Sequence, residues 1–303
     1  MHTAHTLARR SIMFVMLSII AAHTASGLRQ HHAVATPQLP DRRRALLSCG
    51  CGLSTCLMRP LAATALAALE PPPRAETLRY DQPRNGMADA AFARSMSSGT
   101  MQGYERALTP TKRELFARLL ASLPQDSPLV VELGMGTFPN APFYVGSTPL
   151  DLVGVDPNDS NAEYARRSAE VAGLLAAGSS LRVTHGVGEA LPFATGSVDA
   201  VVCTLTLCSV ADPARVLAEV CRVLRRGGQF LFVEHVLSDD DPFLASTQRA
   251  LTPLQVAAAD GCHLDRRTLS AVQAAPFAAV DARHLTLAGF GPLSPVAAGI
   301  ARR

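Results

Sequence analysis

After Pro128 the chain alternates short, continuous apolar runs with segments of helix length. The runs are LVVEL (129–133), DLVGVD (151–156), LRVTHG (181–186), VDAVVCTL (198–205) and QFLFVEHV (229–236). Helices are expected between them from about Ala162 to Ala176 and from Pro213 to Leu224. A strand that is apolar on both faces must be covered on both, so strands separated by helices predict a parallel sheet between two helical layers, a doubly wound α/β fold. The second helix carries its own punctuation: Asp212 as N-cap, Pro213 at the first position, Val216, Leu217, Val220, Val223 and Leu224 on the inner face, and Gly227 and Gly228 as its stop. Ahead of the sheet, TPTKRELFARLLASL predicts a helix starting near Thr109 or Pro110, with Leu115, Phe116, Leu119, Leu120 and Leu123 on one side.

A chain of 303 residues, 48% of them apolar, suffices for one such domain with appendages. The first 69 residues differ from the rest. Seven arginines there face a single acid, Asp41, and the apolar run Ser11–Ala22 follows Arg9 and Arg10 and precedes small residues. That run is too short to span a bilayer comfortably. A signal-like segment followed by a basic, acid-poor one resembles the bipartite presequence of plastid proteins in algae with secondary plastids, with endomembrane or secretory retention as the alternative. Residues 70–103, opening on EPPPRAETLRYDQPRNG, read as a linker. Without the leader the formal charge of +3 becomes −3, because seven positive charges and one negative are lost. The basic balance is therefore no argument for nucleic-acid binding. Of seven cysteines, Cys49, Cys51 and Cys56 lie in the leader, and Cys203, Cys208, Cys221 and Cys262 lack paired C-x-x-C spacing. They read as reduced thiols in apolar surroundings, and no metal-ligand set is assigned.

The first strand ends in VVELGMGTFPN (130–140). In a doubly wound sheet ligands sit beyond the carboxyl ends of the strands, so Gly134 and Gly136 lie where a cofactor should. A dinucleotide requires G-x-G-x-x-G opening a helix, since its pyrophosphate rests on helix N–H groups. Pro139 occupies the third glycine's place, and Pro142 removes a further amide donor. S-adenosylmethionine (SAM) carries no phosphate, and its amino-acid part bears an ammonium, so Glu132 and a bare backbone suit it better. Asp156 ends the next strand twenty positions after Gly136 and can accept both ribose hydroxyls. NAD would use the same carboxylate, so Asp156 alone does not discriminate.

Two further stretches do. HGVGEALPFATGSVDAVVCTLTL (185–207) and RVLRRGGQFLFVEHV (222–236) resemble the segments after strands three and four and the double-glycine turn of class I SAM-dependent methyltransferases. That resemblance implies a Rossmann-like, seven-stranded sheet whose last strand is antiparallel. With DGCHLDRRTL (260–269), residues 104–303 are similar to the methyltransferase-like 7 family of small-molecule thiol methyltransferases. The resemblance implies SAM as cofactor, a small and rather apolar acceptor, and peripheral membrane association. Carried over by position, Glu132, Gly134, Gly136 and Thr137 line the methionine side, Asp156 and Asn158 the ribose, Gly188 and Glu189 the adenine edge, and Thr204 and Leu205 the reacting end. His235 and Asp260 are the catalytic candidates, against plainer readings as a structural histidine and a loop cap. Phe138 and Val187 depart from the superfamily pattern. They motivate a rival reading as a non-catalytic SAM-binding plastid factor, while GEALPF also resembles the branch acting on quinone, phenol or lipid acceptors.

Overall fold

The structure, a computed structural model, describes Leu69 and residues 74–303 except Ser147. Apart from Leu69, the segment read as a presequence lies outside the described residues. The strands are β1 (Leu129–Leu133), β2 (Asp151–Asp156), β3 (Ser180–His185), β4 (Val198–Thr204), β5 (Leu224–His235), β6 (Ala279–Thr286) and β7 (Pro295–Arg302). They form one sheet in the order β3-β2-β1-β4-β5-β7-β6. β7 runs antiparallel to both neighbours, and the pairs from β3 to β5 are parallel. The doubly wound, seven-stranded expectation holds.

The helices are α1 (Arg74–Tyr80), α2 (Gly86–Ser97), α3 (Gln102–Ser122), α4 (Ala162–Ala172), α5 (Pro213–Val223), α6 (Pro242–Ala258) and α7 (Thr268–Ala274). Every residue of β1 and β2 is buried. Successive side chains leave opposite faces of a strand. Val130, Leu152, Ala200 and Leu231 accordingly share a core with Leu115, Phe116 and Leu119 of α3, while Val131, Val153, Val201 and Phe230 share one with Val216, Val220 and Val223 of α5. Each of these side chains other than Ala200 contributes about 1.5–3 kcal/mol by leaving water, and this burial sets which face of the sheet each helix covers.

Several boundaries differ from those the sequence predicts. α3 begins at Gln102 and carries Pro110 in its interior, because Tyr104 and Leu108 are buried ahead of the proline and their packing offsets one lost backbone bond. α4 stops at Ala172, where Gly173 adopts φ +81°. α5 ends at Val223, since Leu224 is already extended. Gly227 and Gly228 therefore do not stop that helix. They lie within the first part of β5, where Gly227 N–H donates to the Arg303 carbonyl and Arg303 N–H to that of Gly228. The segment read as a linker holds α1 and α2. No described helix is long and apolar enough to cross a membrane.

Candidate functional site

The parallel strands end at one edge of the sheet, where a cavity of about 930 Å³ opens, a size usual for small-molecule sites. Gly134 (φ +57°) and Gly136 (φ +55°) form its floor after β1. A Cβ on Gly134 would lie 2.4 Å from the Thr206 side chain, whereas one on Gly136 would meet only the Gly134 carbonyl at 3.9 Å. Gly134 is thus required by packing, and Gly136 presents bare backbone. Phe138 also sits at positive φ (+61°), but its ring is wholly buried against Tyr144, 5.6 Å between centroids, and does not line the cavity. Core packing holds a conformation that costs an ordinary residue about 1–2 kcal/mol.

No α-helix opens at this turn; Pro139 and Pro142 lead into a single 3₁₀ turn, Ala141–Phe143. Among the described lining residues Arg84 is the one lysine or arginine, and it is ion-paired. The carboxylates of Asp81, Glu105, Asp156, Glu189 and Asp260 line the same space. A pyrophosphate finds no unpaired lysine or arginine among the described lining residues and no α-helix opening at the glycine turn, and a cationic ligand finds acids.

Asp156 is held in place by the turn it serves. Its Oδ2 accepts from Gly136 N–H at 2.7 Å, and its Oδ1 from Asn158 N–H at 2.8 Å and Asn161 Nδ2 at 3.2 Å. Burial raises its pKa, against these donors. Of roughly four lone-pair positions on a carboxylate three are taken, so Asp156 has room for one ribose hydroxyl rather than two. The second acceptor lies outside the motifs legible in the sequence. Asn161 Oδ1 is buried without a partner on a residue that lines the cavity, and a ribose hydroxyl would satisfy it. With the Gly136 backbone, Asp156 and this orphaned oxygen, the site fits SAM.

Two of the expected cofactor residues do not reach the cavity. Asn158 is buried and caps the turn behind Asp156: its Oδ1 accepts from Ser160 N–H, and its Nδ2 donates to the Asp89 carbonyl at 3.1 Å. Glu132 stands beneath the glycine turn, where Tyr144 Oη donates to it at 2.5 Å and Asn140 Nδ2 at 2.9 Å. Burial pushes its pKa up to about 7, against those two donors. Asn140 also donates to Thr204 Oγ1 at 2.9 Å, tying β1 to β4.

The other expected residues do line the cavity: Gly134, Gly136, Thr137, Asp156, Gly188, Glu189, Thr204, Leu205, His235 and Asp260. Thr137 is held through its carbonyl by Ser168 Oγ, and Glu189 accepts from Asp212 N–H at the start of α5. A Cβ on Gly188 would press on Val216 at 3.1 Å. Leu205 takes φ +55° at the end of β4. The loop it begins is fixed from both sides. Glu234, a wholly buried acid whose pKa burial raises, accepts from the N–H groups of Thr206, Leu207 and Cys208, and Arg266 donates to the carbonyls of Leu207 and Val210. Two strands along from the glycine turn, His235 ends β5 with Nε2 2.8 Å from Cys262 Sγ. Asp260, at φ +48°, is ion-paired to Arg84 at 2.7 Å.

The wall facing the sheet comes from α1, α2 and the strap between them. Phe92, Met96 and Met101 supply apolar surface, and polar bonds fasten the wall to the domain: Glu76 to Arg215 (2.6 Å), Asp81 to His185 (3.0 Å), and Arg84 to both Asp89 and Asp260. His185 also meets Asp159 at 2.9 Å. Burial opposes its charged form, but the two carboxylates lift its pKa above the usual histidine value.

Comparison with known proteins agrees with this geometry. Residues 131–232 match the family described as "Methyltransferase domain". The chain is 36% identical over 190 residues to thiol S-methyltransferase TMT1A of Homo sapiens, covering 60% of this chain and 73% of that protein. It is likewise 36% identical over 194 residues to thiol S-methyltransferase TMT1B of Rattus norvegicus, covering 63% and 76%. The fold resembles that of a presumptive sarcosine dimethylglycine methyltransferase from Galdieria sulphuraria, with a TM-score of 0.52, 15% identity, and coverage of 64% of this chain and 85% of that one.

Proposed function

This chain belongs to the thiol S-methyltransferase family of SAM-dependent methyltransferases, and on that premise we propose that its acceptor is a small, rather apolar thiol. When bound, SAM would supply an electrophilic methyl group for transfer to the acceptor's lone pair, with the neutral thioether as leaving group. Asp156, Asn161 and the Gly136 backbone hold the cofactor, with Gly188, Glu189 and Val187 along its adenine side. Phe92, Met96 and the other apolar walls exclude water and orient the acceptor.

The observation that carries the thiol reading is the state of the two groups best placed to take a proton. Asp260 is clasped by Arg84, and His235 is turned on a cysteine sulfur. An acceptor that ionises readily suits such a site, and a thiol with a pKa near 8.5 is partly thiolate close to neutral pH. A phenol at about 10 is much less so. The test is a product screen by mass spectrometry, with the full chain, SAM, and a panel of alkyl and aryl thiols beside prenylated quinones and phenols. Methylated thioethers are expected. Methylation of the ring compounds alone would reject the thiol assignment, and absence of SAM binding by calorimetry would reject the cofactor site as drawn. The leader's composition supports a plastid destination, which a fluorescent fusion to residues 1–73 tests.

A further inference from the structure

Three sulfur and nitrogen donors meet at the end of the cavity away from the glycine turn. Cys208 lies on the loop after β4, His235 ends β5, and Cys262 follows α6; all are buried, and all line the cavity. One ligating atom from each lies within 4.8 Å of the other two. Their positions are built rather than incidental. The loop bearing Cys208 has its N–H groups on Glu234 and its neighbouring carbonyls on Arg266, and the Cys208 carbonyl accepts from His263 N–H. Gly261, at φ +81°, lets the chain before Cys262 pass so close to Ser209 that a Cβ there would sit 3.0 Å from its carbonyl.

Packing alone explains this convergence poorly. His235 Nδ1 is buried without a partner, and Nε2 faces only the sulfur of Cys262. Two cysteines and a histidine form a three-ligand set for a soft or borderline metal, with a fourth position left for substrate. A tetrahedron with metal–sulfur bonds near 2.3 Å has edges of about 3.8 Å, so no donor pair, all within 4.8 Å, has to close by more than about 1 Å, while His235 Nε2 and Cys262 Sγ, at 2.8 Å, have to open by a similar amount.

We infer that Cys208, His235 and Cys262 bind one soft divalent cation of the zinc class, with its open position in the cavity taking the sulfur of the acceptor. The second half rests on the thiol reading above. Coordination converts the acceptor from thiol to thiolate, its proton leaving to solvent, and keeps a lone pair on the sulfur that is to be methylated.

The test uses the full chain with Cys49, Cys51 and Cys56 changed to serine, so that leader thiols do not contribute. Elemental analysis should find about one zinc per chain. Cobalt(II) added to the metal-stripped protein should give a sulfur-to-cobalt charge-transfer band and the strong visible bands of a tetrahedral ion. Zinc content should fall roughly tenfold or more in Cys208→Ser, Cys262→Ser and His235→Ala, with SAM binding by calorimetry retained as proof of folding. The cobalt spectrum needs no ligand variant, so it decides the matter even if those chains do not fold. Absence of the charge-transfer band, or zinc retained in both cysteine variants, overturns the site. A small-molecule thiol should shift the cobalt bands and a quinone should not. Bands that thiols leave unmoved, in a protein that binds the metal, overturn the acceptor half while leaving the metal site standing.

Discussion

Replacing Glu132 by glutamine isolates the burial of one carboxyl beneath the glycine turn. The pKa of this group rises on folding from 4.5 to about 7, a preference for the protonated form worth about 3 kcal/mol. Between those values the folded chain holds a proton that the unfolded chain has lost, so the contribution is complete below pH 4.5 and disappears as the pH climbs through 7. Glutamine does not ionise, yet it can still accept from Tyr144, and the partnerless Asn140 Oδ1 can take its amide hydrogen once the Asn140 amide is turned. Urea unfolding of parent and Glu132→Gln, followed by circular dichroism from pH 5 to 8, is the assay. The parent's midpoint should fall relative to the variant's by about 1 M across that range, for a slope near 3 kcal/mol per molar. Asp156 and Glu234, also raised, titrate in both chains and cancel. Midpoints that move in parallel would show that Glu132 is not held as a buried acid, and the account of the turn's support would be wrong.

Further outcomes follow from the same geometry. Gly136→Val places a side chain at φ +55° where the cofactor needs bare backbone, and SAM affinity by calorimetry should drop at least about tenfold, roughly 1.4 kcal/mol; unchanged affinity would place the cofactor elsewhere. Phe138→Ala should lower unfolding free energy by about 3–5 kcal/mol and leave SAM binding of the folded protein intact, since the ring packs away from the cavity. Arg84→Ala frees Asp89 and Asp260 at a partly exposed site, so a loss of about 1 kcal/mol or less is expected, seen as faster hydrogen exchange across residues 74–97 and weaker SAM binding. Because the pKa of His185 is raised by Asp81 and Asp159, its hold on the strap is complete below its unfolded value of 6.5 and fades as pH rises through the folded one. Exchange at Tyr80 and Asp81, corrected for intrinsic rate, should quicken toward pH 8 in the parent and not in His185→Ala.

The sheet was legible because its signal is local: runs such as DLVGVD are apolar at every position and lie between segments of helical period. The glycine turn and Asp156 were legible for a similar reason, as spacing along one strand–loop–strand unit fixes where they meet. Glu132 was misplaced because sequence order shows an acid at a strand's end but not that Tyr144 and Asn140 enclose it. Phe138 marks the limit of reading glycine from backbone need, since tertiary packing holds a phenylalanine at positive φ. The wall of α1 and α2 was hidden by composition. Its segment is rich in proline and polar residues, and its attachments to Arg215, His185 and Asp260 are single polar bonds to distant positions that leave no periodic trace. The Cys208, His235 and Cys262 cluster escaped because each donor comes from a different part of the fold, with none of the short spacing that marks a metal site in sequence.

The strap and its two helices set a boundary for anyone shortening this protein. A truncation from the N-terminal side has to halt before Arg74; a cut near residue 104 keeps the whole sheet yet leaves its crevice roofless. Such a fragment would look sound by its circular dichroism while its methyl donor sat in open water.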